Sequence, residues 1–167
     1  MNKIPFASSI THSHILNVLN TLILNQDLNS KISILDAGCG LGHGLAALRA
    51  VYPESRFFGI EWSWPLRWMC ALRCPWAQVR QGDIWKADWS GYDMVYLFQR
   101  PESMERAWRK ALDEMAPGSW LVSLEFEATG LRAHARLGLA GSRPVWVYRI
   151  GAEGATDRAS TARRPGR

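Results

Sequence analysis

Along the chain, short apolar runs alternate with amphipathic stretches, and glycine or proline marks most of the changes. Residues 10–25 carry Ile15, Leu16, Val18, Leu19, Leu22 and Leu24 at mostly helical spacing, with Thr11 or Ser13 as N-cap, and predict a first helix. Residues 31–36 alternate and then run into glycines, which predicts a buried strand ending in a turn. A helix is expected over 43–52, stopped by Pro53. The cycle then repeats, with a strand over 56–61 and a helix over 65–73 that has Pro65 in its first turn and Pro75 beyond its end. Strands follow at 78–82 and 92–98, then a helix over 102–115 that ends at Pro117-Gly118, and a strand over 119–125. After that the alternation stops, and 131–137 and 145–150 flank the turn-rich 140–144 as a hairpin.

Strands that alternate with helices imply an α/β fold, here a Rossmann-like, doubly wound, seven-stranded and mainly parallel sheet with a C-terminal antiparallel hairpin. The length suits one domain over residues 1–150. Residues 151–167 are rich in Gly, Ala, Ser and Thr and include Arg158, Arg163, Arg164 and Arg167, which predicts a disordered, solubilising basic tail. The net charge of +5 is not gathered on one element, so it does not point to nucleic acid. Three cysteines make no disulfide framework or zinc set and favour a reducing compartment, the cytoplasm. No apolar run is long enough to predict a membrane span, and nothing in the pattern sets the oligomeric state.

In doubly wound sheets ligands bind at the carboxyl ends of the strands. The first strand ends in Asp36-Ala-Gly38-Cys39-Gly40-Leu-Gly42, where glycines let a ligand approach bare backbone ahead of a helix. Counted from Gly38, the dinucleotide fingerprint would need a third glycine where His43 stands, and no Walker loop is present. The carboxylate of Asp36 would repel a pyrophosphate and suits a cation, such as the α-amino group and sulfonium of S-adenosylmethionine. Cys39 supplies the small side chain that the loop requires. Glu61 ends the second strand about twenty residues beyond the glycines, where a carboxylate can accept both hydroxyls of a ribose. Trp62 follows it as a candidate wall of the adenosine pocket, while most of the nine tryptophans suit core or helix packing.

This loop resembles the first motif of class I S-adenosylmethionine-dependent methyltransferases: an acidic residue, one intervening residue, then Gly-x-Gly-x-Gly. The resemblance implies cofactor contacts at Asp36, Gly38, Gly40 and Gly42, matches Glu61 to the second motif, and sets Asp83 and Ile84 against the adenine. It also makes Gln99 and Pro101 substrate-facing, although the Asn-Pro-Pro-aromatic motif of many nitrogen methyltransferases is missing here. Read together, residues 5–11, 98–101 and 145–148 are similar to the small ATP synthase c-subunit lysine methyltransferase family. That resemblance implies a protein-lysine acceptor and lays Ser9 and Thr11 over the cofactor. A protein acceptor is therefore expected ahead of RNA or a small molecule. A non-catalytic cofactor-binding module and a nicotinamide dehydrogenase remain as alternatives.

Overall fold

The computed structural model describes residues 31–138 and 143–151. The expected first helix, with Ser9 and Thr11, lies outside the described residues, as do the turn at 139–142 and the basic tail beyond Gly151.

Seven strands form one sheet: β1 (Ser33–Ala37), β2 (Arg56–Glu61), β3 (Gln78–Gln81), β4 (Met94–Leu97), β5 (Trp120–Leu124), β6 (Ala135–Leu137) and β7 (Val145–Arg149). Their order is β3-β2-β1-β4-β5-β7-β6. The first five run parallel, while β7 pairs antiparallel with β5 and carries β6 on its outer side. The fold is thus the expected mainly parallel sheet with an antiparallel C-terminal pair. The chain reverses its winding at β1, whose neighbours are β2 and β4, so the β1 end faces the crevice where such sheets bind ligands.

Helices α1 (His43–Val51) and α2 (Trp64–Arg73) link β1 to β2 and β2 to β3. Between β4 and β5 the expected long helix is divided into a 3-10 turn at Pro101–Ser103 and α3 (Met104–Glu114). Pro101 opens the 3-10 turn, a first position that its fixed φ and missing N–H suit, and α3 begins past that turn. From β3 to β4 the chain crosses by turns alone, and it buries Ile84 and Trp89 in place of a helix.

Alternation along the strands sorts the core. On one face Ile34, Met94, Tyr96, Val122 and Val147 cluster with Leu45 and Leu48 of α1. On the other, Leu35, Val95, Leu97 and Leu121 cluster with Met104, Ala107 and Ala111, the buried stripe of α3. Because β1 is buried on both sides, every residue from Ser33 to Ala37 is committed to a face. Asp36 therefore falls beside Ile34, on the α1 face.

Candidate functional site

The crevice is built where β1 turns into α1. Gly38 and Cys39 donate their N–H groups to the Ile60 carbonyl at 2.9 and 3.1 Å, which ties the loop to the end of β2. Gly38, Gly40 and Gly42 adopt φ values of +89°, +51° and +81°, a region L side chains rarely enter. Gly38 has a second constraint, since a Cβ there would lie 2.6 Å from the Gln99 amide nitrogen.

Glu61 clamps the loop. One carboxylate oxygen accepts the Gly40 N–H at 2.9 Å and the other accepts the Ser63 N–H at 2.8 Å. Each oxygen keeps a lone pair, so the carboxylate can still accept a diol after these bonds are made. A cavity of about 390 Å³ opens beside it, lined by Gly38, Glu61, Trp62, Gly82, Asp83, Ile84, Trp85 and Gln99. Its volume and its mix of backbone, carboxylate and aromatic surface suit a nucleoside-sized ligand.

Of the residues singled out from the sequence, Gly38, Glu61, Trp62, Asp83, Ile84 and Gln99 meet in this cavity. Asp83 accepts the Trp85 N–H at 2.9 Å, a turn that fixes the wall formed by Ile84 and Trp85. Trp62 stands on the rim, 72% exposed. The Gln99 side chain reaches back to the Ala37 carbonyl at 3.4 Å, across the Gly38 backbone. Trp85 was not among the sequence-level candidates. Its signal was its place two residues beyond Asp83, inside the turn that Asp83 caps.

Among the remaining candidates, Asp36 and Cys39 support the loop from beneath. Asp36 is buried, and its carboxylate points at the first turn of α1, where a Cβ on Gly44 would lie 2.6 Å from it. It accepts a backbone hydrogen bond from Leu45 and stands in for the side-chain cap that Gly42 cannot supply. Burial, reinforced by Cys70 and Glu61, pushes its pKa up to about 8, so at neutral pH the carboxyl is held largely protonated. Cys39 turns under the loop toward Cys70, with the sulfurs 3.6 Å apart, and a Cβ on Gly59 would lie 2.8 Å from its sulfur. Gly42 has the same close fit, since a Cβ there would sit 2.9 Å from both Cys70 and Cys74. Pro101 is exposed and starts the 3-10 turn.

Beyond Gln99 the ends of β4 and β5 form a second, more open surface. Phe98 and Phe126 stack with centroids 6.3 Å apart and planes within 3°. Glu125 is the one non-glycine residue at positive φ (75°) among the described residues, and its N–H donates to the Pro144 carbonyl at 2.7 Å. Its carboxylate pairs with Arg143 at 3.2 Å, and the Arg143 guanidinium lies over Phe98 at 5.6 Å. This corner thus already holds a cation against an aromatic ring and a carboxylate.

Comparison with known proteins agrees with this geometry. A family described as the ANTKMT methyltransferase domain matches residues 36–135, which take in the glycine loop, Glu61, Asp83 and Gln99. No curated protein matches the chain in sequence. Among solved structures, an RNA methyltransferase from Salinibacter ruber in complex with S-adenosyl-L-homocysteine is similar at a TM-score of 0.70 and 21% identity, over 81% of this chain and 91% of that one. A magnesium protoporphyrin IX methyltransferase from Synechocystis PCC 6803 with bound S-adenosylmethionine gives 0.65 at 11% identity, over 90% and 86% of the two chains. The mitomycin 7-O-methyltransferase MmcR gives 0.61 at 16% identity, over 81% and 54%. At such identities these structures establish a shared fold.

Proposed function

The chain belongs to the ANTKMT methyltransferase domain family, and from that membership together with the cleft we propose that it is an enzyme methylating lysine side chains of a protein, with residues 1–150 as its catalytic domain. The methyl donor is S-adenosylmethionine, the ligand class present in the Salinibacter and Synechocystis structures. The observation that carries the reading is Glu61, a carboxylate fixed by two backbone N–H groups at the mouth of the glycine loop with lone pairs still free for a ribose.

The residues present fit the donor. With the ribose diol on Glu61, the adenine falls toward Asp83, Ile84 and Trp85, at the ends of β2 and β3. The opposite substituent of the ribose then runs over Gly38 toward β4. When bound, the donor supplies an electrophilic methyl on a sulfonium. Asp36 lies under the amino acid end, and a cation above it favours its ionised form, so the buried carboxyl becomes a counter-charge when the ligand arrives.

The acceptor side is reached past Gln99. An incoming lysine meets the aromatic pair of Phe98 and Phe126, which can line its aliphatic stem, beside a Glu125 carboxylate already paired with Arg143. Displacement at the methyl is in line, so the chain contributes chiefly by positioning, and the amine's proton passes to solvent through the open mouth. The three described cysteines are free and buried, in keeping with a reducing compartment such as the cytoplasm. No helix among the described residues is long and apolar enough to cross a membrane.

Incubation of the chain with labelled S-adenosylmethionine and a cell extract tests the proposal. Methyl-lysine on a protein, found by mass spectrometry together with S-adenosylhomocysteine release, is the expected result. Label confined to RNA or small molecules would overturn the lysine acceptor, and failure to bind either ligand would overturn the donor.

A further inference from the structure

All three cysteines of the chain gather beneath the glycine loop, buried and free, although Cys39 and Cys70 are 31 residues apart in sequence. Cys39 belongs to the loop itself, and its sulfur lies 3.6 Å from that of Cys70 on α2. Cys70 is also hydrogen-bonded to Cys74, one turn further along, and the Cys74 thiol donates to the Gly42 carbonyl at 3.5 Å. Cys70 is therefore the middle sulfur of three. As a thiolate it accepts from Cys39 and then from Cys74, which holds its pKa below the ordinary thiol range. The same contact with Cys70, together with burial, holds Cys39 above that range, and burial pushes Cys74 up to about 11. The methyl transfer proposed above uses none of the three thiols. Geometry also selects a pair among them. At four-residue spacing on a helix the Cβ atoms of Cys70 and Cys74 stand about 5–6 Å apart, more than the roughly 3.5–4.5 Å that a disulfide spans. Cys39 instead meets Cys70 from a separate element, sulfur to sulfur.

We propose that Cys39 and Cys70 are a redox-modification site, at which a peroxide joins them in a reversible disulfide that displaces the glycine loop and weakens donor binding. The Cys70 thiolate attacks one peroxide oxygen, the O–O bond breaks, and a sulfenic acid forms as hydroxide leaves and takes up the proton that Cys70 lost. The Cys39 sulfur then attacks the Cys70 sulfur; the S–S bond forms, the S–O bond breaks, and water leaves with the Cys39 proton. Two thiols lose two electrons, and one peroxide becomes two waters. Because both sulfurs are buried, the oxidant must be small and enter as the loop and α2 part. A bond of about 2.0 Å draws the sulfurs roughly 1.5 Å closer than they stand. Cys39 lies between Gly38, which lines the cavity, and Gly40, whose N–H is held by Glu61, so the pull passes directly to the groups that shape the donor site. That consequence rests on the donor assignment above, whereas the bond itself does not.

The full chain is treated with hydrogen peroxide, digested without reductant and mapped by mass spectrometry. A cross-link between the Cys39 and Cys70 peptides, with loss of two hydrogens, is the expected product. Calorimetry before and after treatment should show affinity for S-adenosylhomocysteine falling about tenfold and returning with dithiothreitol. Cys70→Ser should abolish both the cross-link and the response to peroxide, while Cys74→Ser should keep both. If Cys70→Ser does not fold, mapping and reversal on the unaltered chain decide the question alone. A cross-link to Cys74, oxidation to sulfinic acid without a cross-link, or a Cys39–Cys70 bond that leaves the affinity unchanged would each overturn the proposal. Failure of the reduced chain to bind S-adenosylhomocysteine would instead overturn the donor assignment, and the switch of donor binding with it, and the mapped bond tells the two failures apart.

Discussion

The two sides of the cleft that the proposed function assigns to donor and acceptor are built to different standards. On the donor side, main-chain bonds from Gly38, Cys39 and Gly40, the clamp of Glu61 and the buried Asp36 and Cys39 fix the loop from several directions. On the acceptor side, the corner after β4 and β5 rests on one ring stack, one ion pair and a backbone held at positive φ, all partly open to solvent. Under the proposed function the contrast follows from the ligands. A donor of constant shape rewards preorganisation, whereas a protein acceptor brings its own surface and needs room.

Removing Glu61 should break the contrast most. Glu61→Ala deletes the diol acceptor and releases the Gly40 and Ser63 N–H groups; at about 1.5–3 kcal/mol for each bond to a charged group, affinity for S-adenosylhomocysteine falls roughly 100-fold or more by calorimetry. Gly38→Ala forces a side chain into φ +89° against Gln99, and should cost about 1–3 kcal/mol in chemical denaturation as well as weakening the ligand. On the other side, Phe98→Ala should raise the KM for a lysine acceptor roughly tenfold, the weight of one aromatic–cation contact, while leaving the S-adenosylhomocysteine Kd unchanged. An equal loss in both constants would erase the division between the two sides.

A subtler effect concerns pH. The folded pKa of Asp36, about 8, lies above its ordinary 3.8, so the native state holds a proton that the unfolded chain releases. Its contribution to stability therefore falls as pH rises from about 4 to about 8, and Asp36→Asn should flatten the melting temperature across that window. Binding of S-adenosylmethionine at pH 7 should release up to one proton, read by calorimetry in buffers of different ionisation enthalpy. The smallest change is expected at Trp62→Ala, less than about threefold in ligand affinity, because a largely exposed rim residue has little contact to lose.

How much could be read along the chain differs for the same two sides. Glycines at fixed offsets, a strand ending in Glu61 and an Asp-Ile pair after β3 are local signals, and they led to Gly38, Glu61, Asp83 and Ile84, which the fold brings together. Trp85 escaped because its role depends on the turn made by Asp83. The acceptor corner escaped more completely. Phe98, the adjacent Glu125 and Phe126, and Arg143 come from three separate stretches of the chain, and only the β4-β5-β7 order brings those stretches together. Pro101 marked a real helix start, yet the 3-10 turn leaves it exposed.

By itself, the sequence determined the element order, the parallel sheet and the donor loop, because hydrophobic period and glycine placement act over a few residues at a time. Only the tertiary structure decided where Asp36 points. Alternation along a strand buried on both faces assigns it to the α1 side, where it caps the first turn of that helix beneath the loop. The exposed face of α2 was settled in the same way. Its tryptophans read as core along the chain, and only the packing of Cys70 and Cys74 beneath them shows that they face outward.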